Sequence, residues 1–316
     1  MTIVTNTFLT FSAKGIREDL TDIIYNISPT QTPFMSSIGK GKATQTFHEW
    51  QTDSLAAAAT NAQLQGDDVS TFDPVTATTR LGNYTQILRK TVIISDTEDV
   101  VKKAGRASEV AYQVAKKMKE LKRDMEFALC ANQQRTVGSS TSAPQLAGLE
   151  SWIVTNNSLG SGGSNPAAAD GTGLRTDGTQ RAFTEAQVKA VAKSVYDNSG
   201  DEPEILMVGS FNKQVASTFT GNATRMNEAD TGKLFAGVDI YDYDFGTLKI
   251  IPNRFQRSRS AFIINTDLWA VDFLRPVKIE DLAKTGDAEK KMLITEVTLE
   301  CRNEAGSGII ADLLTS

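Results

Sequence analysis

The hydrophobic positions fall into blocks whose period changes along the chain. Ile16, Leu20, Ile23 and Ile24 recur at helical spacing and predict one face of a short helix. Ser28-Pro29-Thr30 and Thr32-Pro33 stop it, because a residue before proline avoids the α region. So short an apolar face has no core of its own and must lie against something else. Residues 44–52 then alternate, with Phe47, His48, Glu49 and Trp50 among them, and predict a strand. Residues 53–74 are small and acidic and predict a polar loop. Residues 76–94, rich in Thr, Tyr and Ile, predict a second strand. The two strands and their tip make an extended β-arm. Such an arm is not stable alone in water and should rest on a neighbouring surface.

Ser95-Asp96-Thr97-Glu98 has the spacing of a capping box and opens a short helix to about residue 104. Gly105 interrupts it. The longest helical signal follows, from residue 107 to about 134. Val110, Ala111, Val114, Met118, Leu121, Met125, Ala128 and Leu129 keep three-to-four spacing along it. Its other face carries Lys116, Lys117, Lys119, Lys122 and Arg123, which is either a solvated face or a surface for an acidic partner. Residues 138–182 look irregular, and 159–180, rich in Gly, Ser, Asn and Ala, predict an exposed loop.

A compact α/β section comes next. Thr184 and Gln187 frame a capping box. Val188, Val191, Ala192, Val195 and Tyr196 form the buried stripe of the helix, and Gly200 ends it. The apolar run 205–208 predicts a central strand, and Ser210 starts another helix. Strands are predicted at 238–243, 247–251, 261–265 and 268–273. Beyond Arg275 the pattern is all strand, with a turn at Lys284-Thr285-Gly286-Asp287 and a long strand over 292–301.

Composition narrows the function. A net charge of -5 over 316 residues excludes a polycation built to condense nucleic acid. No basic segment leads into an apolar core at the N-terminus, and no run of about 18 apolar residues occurs, so neither secretion nor a membrane partner is expected. The two cysteines, Cys130 and Cys301, have apolar neighbours and read as buried free thiols.

The search for chemistry returns little. The one histidine, His48, has no nucleophile pattern beside it, and no Gly-x-Ser-x-Gly elbow exists to partner it. It reads as structural. Gly39-Lys40 and Gly232-Lys233 fail the phosphate-loop pattern, because the upstream glycine is replaced by Phe34 and Asn227. Asp242 and Asp244 sit on alternate positions and fit a hairpin end better than a cation site. Catalytic residues, metal ligands and cofactors are therefore all expected to be absent.

The order of elements and a set of dispersed segments carry a resemblance. The segments are Ile16-Arg17-Glu18-Asp19-Leu20, Ser28-Pro29-Thr30-Gln31-Thr32-Pro33-Phe34, Gly105-Arg106-Ala107-Ser108-Glu109, Glu120-Leu121-Lys122-Arg123-Asp124 and Leu299-Glu300-Cys301-Arg302-Asn303-Glu304. Taken in this order, the chain resembles the major capsid proteins of tailed double-stranded DNA phages, which have the HK97-type fold. The resemblance implies an α+β fold with an N-terminal arm over 1–39 and an extended loop over 40–94. It implies a peripheral domain from 95–138 and 272–316 with a spine helix at about 107–134, and an α/β axial domain over 139–271. It also implies a non-enzymatic subunit that builds hexamers and pentamers of an icosahedral head in the virion, after synthesis in the host cytoplasm. Portal, scaffold and decoration proteins are its implied further partners, with weak, sequence-independent contact to packaged DNA.

Some members of that class join a loop lysine covalently to a neighbour's asparagine. Here no lysine lies between Lys42 and Lys90, so the contacts should be non-covalent. The residues expected to make them are Ile16, Leu20, Ile23 and Ile24 of the arm, Asp67 and Asp68 of the loop tip, and Lys116, Lys117, Lys122 and Arg123 of the spine helix. Two other readings stay open at this point. One is a cytoplasmic α/β ligand-binding or hydrolase-like domain built on 184–273. The other is a tail or scaffolding protein of the same virion.

Overall fold

The computed structural model describes residues 31–316 except 67, 69–71, 104, 201 and 220–239. Residues 31–66 enter through the short helix α1 (Pro33–Ser37), strand β1 (Gly39–Lys42) and strand β2 (Phe47–Thr52). Strands β3 (Thr79–Tyr84) and β4 (Gln86–Ser95) lead to helices α2 (Asp96–Val100) and α3 (Glu109–Cys130). Helix α4 (Leu149–Trp152), strand β5 (Asn157–Ser158), helix α5 (Glu185–Ser199), strand β6 (Ile205–Val208) and helix α6 (Ser210–Ala216) follow. The last strands are β7 (Ile240–Tyr243), β8 (Gly246–Pro252), β9 (Ala261–Ile264), β10 (Trp269–Asp281), β11 (Ala288–Cys301) and β12 (Gly308–Ile310).

Two sheets organise these elements. A four-stranded sheet has the order β1-β10-β11-β4, and α3 lies against β4 and β11. A six-stranded mixed sheet has the order β5-β12-β9-β6-β8-β7, with α5 packed on β12. A separate pair, β2 and β3, forms the hairpin. The apolar run of β6 is central, as its continuous hydrophobicity requires. One core joins both sheets: Phe34, Met125, Leu129, Trp152, Met207, Phe262, Trp269, Leu299 and Ile309 come from eight different elements. A second core lies between α5 and the six-stranded sheet, around Val188, Val191, Leu206, Ile263 and Ile310.

Helix α3 has 22 residues, about 33 Å, and is shorter at both ends than its periodicity predicts. Its start is set by two acceptors. Ser108 accepts from Ala111 N–H at 3.3 Å, and the Asp99 carboxylate of α2 accepts from Glu109 N–H at 2.7 Å. The Glu109 N–H, with that of Val110, holds the Asp99 pKa below the usual carboxylate value, as expected for an acid at a helix N-terminus. At the other end the backbone after Ala131 is drawn into loop pairing: Gln133 C=O accepts from Gly148 N–H, and Arg135 N–H reaches Gly171 C=O.

Three expectations are corrected. Residues 76–94 are not one arm strand. The chain changes partner at Thr85, so that β3 pairs with β2 while β4 runs antiparallel to β11 inside the four-stranded sheet. The C-terminal segment does not stay in that sheet either, because β12 crosses to pair with β9 and β5. The glycine-rich stretch 159–180 is only partly exposed. Gly160, Pro166, Gly171 and Arg175 are buried, and the Arg175 guanidinium donates to Ile153 C=O and to Asn165. Glycine permits this close packing: a Cβ at Gly160 would stand 2.2 Å from Thr179 O.

Asp312, at φ 62°, ties this stretch to the end of the chain. Its carboxylate accepts from Gly160 N–H at 3.0 Å, Gly178 N–H at 2.7 Å and Arg259 at 2.8 Å. Arg257 bridges Glu150, which is fully buried, and Asp177. Together these groups close the junction between the loop, α4 and the six-stranded sheet.

Candidate assembly surfaces

The β2–β3 hairpin divides into an anchored base and a projecting tip. At the base, Asn83 is fully buried. Its amide donates to Leu299 C=O at 2.8 Å and Ala147 C=O at 3.2 Å, and its carbonyl accepts from Ala147 N–H at 2.8 Å. Phe47 lies across Gly82 and packs at a tilt against Tyr84, ring centres 4.6 Å apart, while Arg135 sits over its ring at 5.3 Å. Trp50 meets Trp152 of the core at 5.5 Å. The base therefore rests on its own subunit, which corrects the expectation that the whole arm leans on a neighbour. The reason is local: Asn83 satisfies backbone groups that would otherwise be buried without partners.

The tip is different. Its described residues between Asp53 and Thr78 are exposed throughout. Leu55 is 99 % exposed, Val75 98 %, Phe72 86 % and Leu64 82 %. Asp53, Asp68 and Asp73 are exposed among them; Asp67 lies outside the described residues. So do Ile16, Leu20, Ile23 and Ile24 of the arm.

On α3 the basic residues separate into two groups. Lys117 pairs with Glu120 at 2.8 Å, and Arg123 stands over the ring of Phe255 at 5.4 Å. Lys116, Lys119 and Lys122 are exposed and form no ion pair among the described residues. Beside the helix start, the outer face of β4 and the end of α2 expose Ile93, Val100 and Val101.

The chemical inventory adds one constellation. His48 Nε2 on β2 lies 3.1 Å from Asp272 Oδ2 on β10, and Glu300 of β11 is beside them. Burial and then the facing Glu300 carboxylate push the Asp272 pKa up to about 6. The sequence separates these three residues by long intervals, and no local pattern links them; His48 on its own read as structural. Cys130 and Cys301 are buried free thiols whose pKa values burial pushes well above the usual thiol value, which keeps them in the protonated form. Asp242 accepts from the Thr247 hydroxyl at 2.9 Å across the β7–β8 turn, as a hairpin end requires. Among the described residues no helix is long and apolar enough to cross a membrane.

Two sheets sharing one core, a long helix across the smaller sheet and a hairpin projecting from it make up the frame. The sequence profile of the SU10 major capsid protein family matches residues 3–314. The chain belongs to this family. It is 28 % identical, over 343 aligned positions covering 96 % of both chains, to the major capsid protein of Escherichia phage Phieco32. In structure it is similar to a capsid chain of cyanophage A-1(L), with a TM-score of 0.66 at 13 % identity over 98 % of this chain and 99 % of that one. The capsid of a native GTA particle gives a TM-score of 0.62 at 12 % identity, covering 96 % and 98 %. A structure of the major capsid and decoration proteins of phage G gives 0.56 at 10 % identity, covering 99 % and 100 %.

The α+β fold is of the HK97 type. This SU10-family chain is a structural capsid subunit of a phage virion, and that family is one of capsid proteins, not of enzymes. The open readings as a hydrolase-like domain and as a tail or scaffolding protein are set aside by the same match.

Proposed function

We propose that this capsid protein assembles with copies of itself into hexamers and pentamers of an icosahedral head around double-stranded DNA, held by non-covalent contacts of the hairpin tip and the N-terminal arm. The observation that carries the proposal is the tip. Four large apolar side chains stand almost wholly in water on a segment whose described residues form no helix or strand. An exposed apolar set of this kind marks a contact surface, and in a subunit that repeats around a closed shell the contact partner is the next copy.

In this reading the four-stranded sheet with α2 and α3 is the peripheral domain, and the six-stranded sheet with α5 and α6 is the axial domain. The extended loop is the projecting part of 40–94, and the arm is 1–39. Residues 308–310 serve the axial sheet, although they follow the peripheral strands in sequence. The subunit is made in the host cytoplasm and meets portal, scaffold or decoration proteins only during or after assembly.

The test is Leu55→Ser with Phe72→Ser. Each apolar group removed from an interface forfeits ~1.5–3 kcal/mol, so the double variant should remain a folded, soluble subunit that forms no shells under electron microscopy. Shells in normal yield from that variant would overturn the assignment of the tip.

A further inference from the structure

The histidine cluster lies where the hairpin meets the body. In the β10–β11 register Asp272 opposes Thr298 and Ala270 opposes Glu300. The two acids therefore share one face of the sheet, displaced by two residues. His48 reaches them from β2, and one donor atom from each residue lies within 4.8 Å of the others.

Two independent features show that the place is built. Asp272 is only 2 % exposed, yet its Oδ2 has no hydrogen-bond partner, with His48 Nε2 standing 3.1 Å from it. Strand β1 also makes room for the carboxylate. A Cβ at Gly41 would stand 2.0 Å from Asp272 Oδ1, so the group occupies space that only glycine leaves open. A buried anion oxygen without a donor, facing a second carboxylate and an imidazole nitrogen, is unfavourable until a proton or a cation joins them, and a cation can draw on all three groups at once.

We propose that His48, Asp272 and Glu300 bind one divalent transition-metal ion, with Zn²⁺ as the best fit, and that the ion fastens the base of the hairpin to the four-stranded sheet. One imidazole and two carboxylates are a mixed donor set. It suits Zn²⁺ better than Mg²⁺ or Ca²⁺, which prefer oxygen ligands throughout. Arg302 Nε lies 3.2 Å from Glu300 Oε1, which orients the carboxylate and leaves its other oxygen for the ion. The His48 and Glu300 side chains are partly exposed, so solvent reaches a fourth position. The ion spans three elements that only the folded subunit brings together, and the proposal stands apart from the assembly reading.

The test uses the full unassembled chain after treatment with a chelator. Zn²⁺ is titrated by calorimetry and Co²⁺ by visible absorption, both at neutral pH. One ion per chain, low-coordinate cobalt bands without thiolate charge transfer, and a rise in Tm with Zn²⁺ but not Mg²⁺ are expected. His48→Ala and Glu300→Gln should each weaken binding by at least ~10-fold. Hydrogen exchange over 47–52 should slow on adding zinc to the wild type and stay unchanged in Glu300→Gln. If His48→Ala fails to fold, Glu300→Gln and the wild-type spectra decide. Sub-stoichiometric binding by the wild type, or wild-type affinity in Glu300→Gln, would overturn the site.

Discussion

Glu126 controls how the chain enters its own core. Its two carboxylate oxygens accept from Phe34 N–H at 2.7 Å and Met35 N–H at 2.8 Å, and Asn253 donates to it at 2.8 Å. These are N–H groups in the first turn of α1, whose N-cap Thr32 offers no side-chain acceptor. A residue 91 positions away thus caps the helix, and Phe34 is delivered against Trp269. Glu126→Gln turns an amide donor toward a backbone donor and should cost about 1–3 kcal/mol in urea unfolding. Burial raises the Glu126 pKa above its ordinary 4.5, against the pull of the backbone N–H groups. With the folded value raised, the stability this group contributes is full below pH 4.5 and is lost as pH rises through the folded value. The Gln variant should therefore show a flatter fall in unfolding free energy above pH 4.5 than the wild type.

Among the elements, the hairpin and α3 are the pair to test together. The tip has Asp53, Asp68 and Asp73 exposed, with no lysine or arginine between Lys42 and Arg80. Of the basic residues on α3, Lys116, Lys119 and Lys122 form an exposed row, while Lys117 and Arg123 are engaged within the subunit. If the tip of one copy meets this row on the next, each exposed pair contributes only ~0–1 kcal/mol, and its chief effect is on register. Replacing Asp67 and Asp68 with Lys should abolish shells at low salt. Changing Lys119 and Lys122 to Glu in the same chain should restore them. Assembly unchanged at every salt concentration would leave the tip acids simply solvated.

At the scale of the whole molecule, the described residues from Phe34 to Leu313 bury large apolar clusters against one another, with Leu129, Trp152, Phe262 and Trp269 fully enclosed by them. Deleting residues 1–27 should accordingly leave the circular dichroism and thermal transition of the subunit nearly intact while preventing stable shells. The arm carries the Ile16, Leu20, Ile23 and Ile24 face that we assign to a neighbour. Net charge makes a second expectation. At -5, the subunit should bind duplex DNA weakly and without sequence preference, with affinity falling steeply in salt. Nanomolar binding at physiological salt in a filter assay would contradict it.

Local order was legible in the residues themselves. The α3 stripe, the Ser95 cap accepting from Glu98 N–H at 3.2 Å, the central run of β6 and the turn between β10 and β11 all follow from side-chain period and turn chemistry, which act over a few residues. The dispersed segments carried the family for the same reason, since they lie in the chain in a fixed order. What the sequence could not determine is which strand each strand joins. Alternation reads the same on both sides of Thr85, so 76–94 looked like one strand until tertiary packing divided it between hairpin and sheet. The crossing of β12, the burial of Arg175 among glycines and the meeting of His48 with Asp272 and Glu300 belong to the same class. Each depends on contacts between residues far apart in the chain, and such contacts leave no periodic trace in the order of amino acids.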